Sequence, residues 1–158
     1  MNTKHIVYTE KKALRDEIFT HLQACNECFL PHLCKTVDIG EYAKKIHSNA
    51  VTFEAWSNQR LIGLVGAYLN DTDGRHGYIT NVSIVKEFMG RGIATRLIAM
   101  CLEKTNKEKF IDIMLEVFSG NVHVIRLYQK FGFCPYRISN NQVFMKLNLE
   151  RSMFAKNS

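Results

Sequence analysis

The sequence predicts a mixed α/β fold, an α+β domain built on one sheet of about seven strands with about four helices. Two rhythms carry that reading. Over residues 51–84 short apolar blocks alternate with polar turns, as in an antiparallel meander. From residue 77 to 117 the order becomes strand, helix, strand, which implies a right-handed parallel crossover. No repeat or low-complexity block divides the chain, and its only prolines are Pro31 and Pro135, so residues 1–158 are expected to form a single domain.

Each element has its own signal. A short apolar stretch at Ile6–Tyr8 is followed by Leu14, Ile18, Leu22, Cys25 and Phe29 at helical spacing, which predicts an amphipathic helix from about Glu10 to Glu27. Asp38 with Glu41 three residues on resembles a capping box and opens a short helix through Tyr42, Ala43 and Ile46. Val51–Ser57 and Leu61–Leu69 read as strands joined by a turn at Ser57–Arg60, and the polar turn Asn70–Gly74 precedes a third, Gly77–Ile84. A helix follows Gly92, then a strand Ile111–Val117, a helix Val122–Phe131, and two strands around Ser139–Gln142.

At 158 residues the chain can bury a core without disulfides. A content of 46% hydrophobic and 23% charged residues excludes disordered, collagen-like and multi-span membrane classes. Lys and Arg number 21 against 15 Asp and Glu, and the net charge of +6 points to anionic partners, without separating a phosphorylated cofactor from nucleic acid or a membrane surface. The first residues lack a signal-peptide core, and the longest apolar run, Leu61–Leu69, falls short of the ~20 residues that span a bilayer. A cytoplasmic protein without membrane association is therefore expected. Five cysteines (Cys25, Cys28, Cys34, Cys101, Cys134) cannot all pair and read as reduced thiols.

Between the third strand and its helix lies Phe88-Met89-Gly90-Arg91-Gly92-Ile93-Ala94-Thr95. Residues with little side chain let a phosphate approach the backbone, and a helix N-terminus offers unpaired N–H groups and a positive dipole to an anion. Arg91, Arg96 and Lys86 add positive charge nearby. The same glycines also suit a tight strand-to-helix turn with no ligand. A P-loop is ruled out because no Gly-Lys-Ser/Thr follows, and a dinucleotide fold because a third glycine and an acidic ribose partner are missing.

Downstream come Leu115-Glu116-Val117 closing a strand, Asn121 opening a helix, Leu127-Tyr128 within it and Gly132-Phe133 closing it. Together with the glycine turn, this ordered set over residues 77 to 134 strongly resembles the GNAT superfamily of acyl-CoA-dependent N-acyltransferases. The resemblance implies that the strands Gly77–Ile84 and Ile111–Val117 are the fourth and fifth of the sheet. They would splay apart, with acetyl-CoA between them and its pyrophosphate on Met89, Gly90, Arg91, Gly92, Ile93, Ala94 and Thr95. Backbone groups of Val82, Ser83 and Ile84 would bind the pantetheine arm and polarise the thioester carbonyl. Asn121 would hold the pantetheine through its amide, alongside or instead of a plain N-cap role.

Tyr128 falls where many members of the superfamily protonate the departing CoA thiolate, and a phenol near pKa 10 can do so while remaining protonated at neutral pH. Its alternative is a core aromatic, since Val124, Ile125 and Phe131 surround it at helical spacing. Glu116 is the candidate general base, 12 residues before Tyr128, a spacing that resembles ribosomal-protein N-terminal acetyltransferases. An exposed strand glutamate is the alternative. Direct attack on the thioester needs no protein nucleophile and no metal.

Three positions depart from the superfamily's pattern: Met89 replaces the usual Arg or Gln, Lys86 stands where a proline is often found, and Val124 stands where alanine is common. The first could weaken cofactor binding, with Arg91 as a substitute. Cys25-x-x-Cys28 with His21, His32 and Cys34 nearby invites a zinc site, but the second ligand pair is missing and Cys25 belongs to the apolar stripe, so no metal is expected. His123 is a substrate-side base or a solvated helix residue. No nucleic-acid module is present, and oligomeric state, including a homodimer, stays open.

Acceptor specificity in this fold comes from the N-terminal helices, here residues 10 to 48, and from the loop at residues 70–76. Phe29-Leu30-Pro31 followed by Tyr42-Ala43-Lys44-Lys45 resembles bacterial GNAT enzymes of sugar-modifying contexts. The expected acceptor is the primary amine of a small molecule, with an amino sugar or sugar nucleotide among the candidates. The alternatives are a protein N-terminal or lysine acetyltransferase, and a non-catalytic acyl-CoA-binding regulatory domain.

Overall fold

The computed structural model describes residues 5–150. Seven strands form one mixed sheet in the order β1-β2-β3-β4-β5-β7-β6. They are β1 (Val7–Glu10), β2 (Val51–Ser57), β3 (Arg60–Tyr68), β4 (His76–Ile84), β5 (Asp112–Phe118), β6 (Cys134–Ser139) and β7 (Gln142–Asn148). Four α-helices accompany them: α1 (Arg15–Cys25), α2 (Ile39–Asn49), α3 (Ile93–Lys107) and α4 (Val122–Lys130). None of the described helices is long and apolar enough to cross a membrane. The described residues group into two compact units, 5–67 with 81–101, and 68–80 with 102–150.

In the first unit β1 and β2 pair antiparallel, as do β2 and β3, which are joined by a two-residue turn with both Asn58 (φ 49°) and Gln59 (φ 65°) left-handed. α1 buries Ile18, His21, Leu22 and Cys25, a stripe at i, i+3, i+4 and i+7. It begins five residues later than its apolar spacing predicts. Lys11 is left-handed (φ 57°), and the link from β1 is held by Glu54 of β2, whose side chain is fully buried. That carboxylate accepts from the Thr9 hydroxyl (2.6 Å), the Lys12 and Ala13 backbone N–H groups (both 2.9 Å) and the Thr52 hydroxyl (2.5 Å). Glu17 then takes the Leu14 N–H at 2.9 Å to start the helix. As expected, Asp38 caps α2 by accepting from Glu41 N–H at 2.9 Å.

Gly63 explains how closely α3 lies on β3. A Cβ there would meet Ile93 at 3.0 Å, Ile84 at 3.1 Å and Leu97 at 3.2 Å, so a larger residue would make these side chains give way by a few tenths of an ångström where the first turn of α3 meets the sheet. Along β4 the odd-numbered residues 77–83 are buried and the even ones half-buried beyond an exposed His76. α1 covers the face of β4 that carries Ser83, and α3 covers the other, against Ile84.

In the second unit β5 pairs parallel with the start of β4 through His76↔Asp112, Gly77↔Ile113 and Tyr78↔Met114. The strand then continues to Phe118, with β7 antiparallel along its full length. β6 and β7 form a hairpin whose turn residues Asn140 (φ 50°) and Asn141 (φ 66°) are both left-handed, and β7 rather than β6 lies next to β5. The five cysteines are free thiols.

Candidate active site

The glycine turn leads from β4 into the fifteen-residue helix α3. Gly90 and Gly92 both have φ of +77°, and a Cβ at either would meet nothing within 4 Å. Backbone conformation, not crowding, therefore demands glycine here. The same observation means open space beside the backbone at the N-terminus of a helix, whose first N–H groups have no partner within the helix. Met89 is 48% exposed, and Arg91 and Thr95 are exposed too. Arg91 does not reach outward freely: its guanidinium donates to the Glu87 carbonyl at 3.2 Å and lies over the Phe88 ring. Arg96 stacks on Tyr8, 4.6 Å from the ring centre. Ile93 is buried and Ala94 half-buried.

Just upstream, Val82 and Ile84 are half-buried and Ser83 is buried. The Ser83 hydroxyl turns toward α1, 2.9 Å from His21 Nε2, and donates to Asn81 Oδ1 at 2.7 Å. His21 Nδ1 lies 3.0 Å from the Leu61 carbonyl, and Asn81 Nδ2 donates to the Tyr42 phenol at 3.5 Å. Burial pushes the His21 imidazole down to about 4 and the neighbouring Cys25 thiol up to about 12. Both ring nitrogens of His21 are thus engaged within the fold, and Nε2 also lies 3.7 Å from the Cys25 Sγ. Sequence reading met His21 only as a neighbour of Cys25 and Cys28. Its place on the apolar stripe of α1, with Asn81 and Ser83 on the buried face of β4, was the available signal.

The second unit carries Glu116, Asn121 and Tyr128 on consecutive elements. Glu116 is exposed on β5, opposite Phe144 of β7. Asn121 caps α4 as its residue type predicts, its Oδ1 accepting from Val124 N–H at 3.4 Å. Tyr128 is buried, and desolvation pushes its phenol well above the usual tyrosine range. The Gly-Phe pair fixes it in place. Gly132 takes φ of 102°, its N–H donating to Gln129 O at 2.9 Å and the Phe133 N–H to Tyr128 O at 3.2 Å, a Schellman closure. Phe133 then packs its ring 5.8 Å from that of Tyr128. His123 is exposed on α4.

Residues 15–133 match the Acetyltransferase (GNAT) family. The chain belongs to this family. As a GNAT protein it is an acyltransferase enzyme. N-alpha-acetyltransferase 30 of Schizosaccharomyces pombe is 32% identical over 120 residues, 69% of this chain and 80% of that protein. A spermine/spermidine N(1)-acetyltransferase of Bacillus subtilis is 30% identical over 74 residues, 46% of this chain, and the match spans about half (49%) of that relative's length. Among solved structures, that of the acetyltransferase yncA from Salmonella typhimurium with its cofactor acetyl-CoA superposes with a TM-score of 0.70. It is 15% identical and covers 92% of this chain and 96% of its own, a likeness of fold.

Proposed function

We propose that this GNAT enzyme transfers the acetyl group of acetyl-CoA to the primary amine of a small molecule. The observation that carries the reading is the Met89–Ile93 turn. Two left-handed glycines with open space beside them, at the head of a fifteen-residue helix, form a cradle that suits a pyrophosphate. Met89, Gly90, Arg91, Gly92, Ile93, Ala94 and Thr95 would hold it, chiefly through backbone N–H groups, which makes the missing Arg or Gln side chain at position 89 tolerable. The backbone of Val82, Ser83 and Ile84 would take the pantetheine arm and thioester carbonyl. Asn121 serves twice: its oxygen caps α4, and its NH2 end is the donor for a pantetheine carbonyl.

Bound acetyl-CoA supplies an activated acetyl thioester. The amine nitrogen attacks the thioester carbonyl carbon, a C–N bond forms and the C–S bond breaks. Glu116 takes the proton that the ammonium must lose, and its exposure on β5 suits a group that meets an incoming amine. Tyr128 gives a proton to the departing thiolate and regains one as the nitrogen loses its second proton in forming the amide. Its burial supports that role by keeping the phenol protonated throughout the physiological range.

A protein N-terminus is the second reading, favoured by the 32% identity to N-alpha-acetyltransferase 30 over most of that protein. Calorimetric titration with acetyl-CoA at low salt, followed by CoA release with spermine, an amino sugar and a peptide with a free N-terminus, tests both. One-site binding with release by the small amines supports the first reading. Release by the peptide alone replaces it with the second, and failure to bind acetyl-CoA overturns both.

A further inference from the structure

The three strands β5, β7 and β6 share a face whose cations the acyl transfer leaves unused. Glu116 of β5 lies opposite Phe144 of β7, and Phe144 lies opposite Arg137 of β6. Met114, Lys146 and Cys134 form a second row two residues along. Side chains alternate along a strand, so both rows stand on the face away from the buried Leu115, Val117, Val143 and Met145. The irregularity in β6 leaves Tyr136 without a cross-strand partner, and its phenol reaches over β7 to donate to Met114 Sδ at 3.6 Å. Its ring lies 6.3 Å from that of Phe144.

Two cations rest on these rings. The Arg137 guanidinium lies 4.1 Å from the Phe144 ring centre, and the Lys146 ammonium 5.2 Å from that of Tyr136. Stacking engages the flat of a guanidinium and leaves its N–H edges open. Neither cation has a carboxylate partner among the described residues, and Glu116 pairs with neither. The other acid of β5, Asp112, is held by His76 at 2.7 Å. Strands lie about 4.8 Å apart, which sets the Glu116 and Arg137 backbones roughly 10 Å from each other. Stacking over Phe144 draws the guanidinium back toward Glu116 and shortens that gap. Glu116 and Arg137 are exposed and Lys146 is half-buried. The complementary ligand carries opposite charges a few bonds apart, an ammonium for Glu116 and an oxyanion for the Arg137 fork. A polyamine would bring a second cation against Arg137 instead.

We propose that this face is the acceptor subsite, and that Arg137, backed by Lys146, selects amines that also carry an oxyanion over polyamines. The inference rests on the reading of Glu116 as the base that meets the incoming amine, and it names the substrate class for that same site. Arg137 acts on specificity and moves no proton.

Steady-state CoA release with matched acceptors tests it: 4-aminobutyrate against putrescine, and glucosamine 6-phosphate against glucosamine. The anionic member of at least one pair should have a KM about tenfold or more below its partner's, and the pair that shows it tells a carboxylate from a phosphate. Arg137→Gln should raise that KM about tenfold, with the partner's KM and that for acetyl-CoA staying within about twofold. Lys146→Gln should act in the same direction to a smaller degree, and Arg137→Lys should restore part of the preference. No preference for the anionic member in either pair, or one that survives Arg137→Gln, overturns the inference while the proposed function stands. A uniform rise in KM for both members of a pair in Arg137→Gln marks a structural role and overturns it as well. A wild-type enzyme that releases no CoA with any small amine overturns the proposed function and this inference with it.

Discussion

Lowering the pH should destabilise the protein through one side chain, and a variant can isolate it. His21 has its ring at about 4 in the fold against 6.5 in an unconstrained chain. Above pH 6.5 neither state binds a proton there, between 6.5 and about 4 only the unfolded chain does, and below about 4 both do. Stability from this group is therefore present above pH 6.5 and drains away as pH falls toward 4. With one pKa unit equal to about 1.4 kcal/mol, the loss between about pH 7 and pH 4.5 comes to about 2 kcal/mol. Trp56, the only tryptophan, donates its indole N–H to Thr9 in the β1–β2 pair and gives a fluorescence signal for urea unfolding. His21→Gln loses hydrogen bonds and should be less stable at neutral pH. Its stability should nevertheless fall by about 2 kcal/mol less than the wild type's between the two pH values. Equal losses in the two proteins would refute the assignment, as would an NMR titration placing the folded ring near 6.5.

Three further outcomes are expected. Tyr128→Phe should cut turnover about a hundredfold while leaving calorimetric acetyl-CoA affinity unchanged, since general-acid help is typically worth about 10²–10⁴-fold. Glu116→Gln should flatten the acidic limb of the rate–pH profile, and an unchanged limb would move the base elsewhere. Gly92→Ala puts a Cβ on a φ of +77° and should cost about 1 kcal/mol by urea midpoint, with acetyl-CoA affinity falling as well. A neutral effect on both measures would show that the turn needs no left-handed residue.

Local signals were legible and long-range ones were not. The strands β2, β3 and β4 and the helices α2 and α4 fall within a residue or two of their apolar periodicity, because each buries one face and the period follows from that face. The start of α1 was not legible: whether residues 10–14 coil or turn depends on Glu54, more than forty positions away. The insertion of β7 between β5 and β6 is equally a product of the assembled sheet. Within the candidate site, the left-handed glycine turn, the Asn121 cap and the position of Tyr128 could be read because each depends on neighbours within a few residues, down to the Gly132–Phe133 closure that seats the tyrosine. The His21–Ser83–Asn81–Tyr42 chain draws on α1, α2 and β4 and ends on a carbonyl of β3, and no window of sequence contains it.

The buried carboxylate of Glu54 couples the N-terminal segment to the rest of the first unit in an all-or-none way. Peeling β1 off the sheet edge would break more than the antiparallel ladder from Val7 to Glu10, because Thr9, Lys12 and Ala13 would leave with it and a charge would stay in the core short of three donating residues. An edge strand of four residues would ordinarily fray, yet this one can open only together with the lead-in to α1. Amide protons from Thr9 to Ala13 should accordingly exchange as one cooperative group, at a rate nearer that of the core than of a chain end.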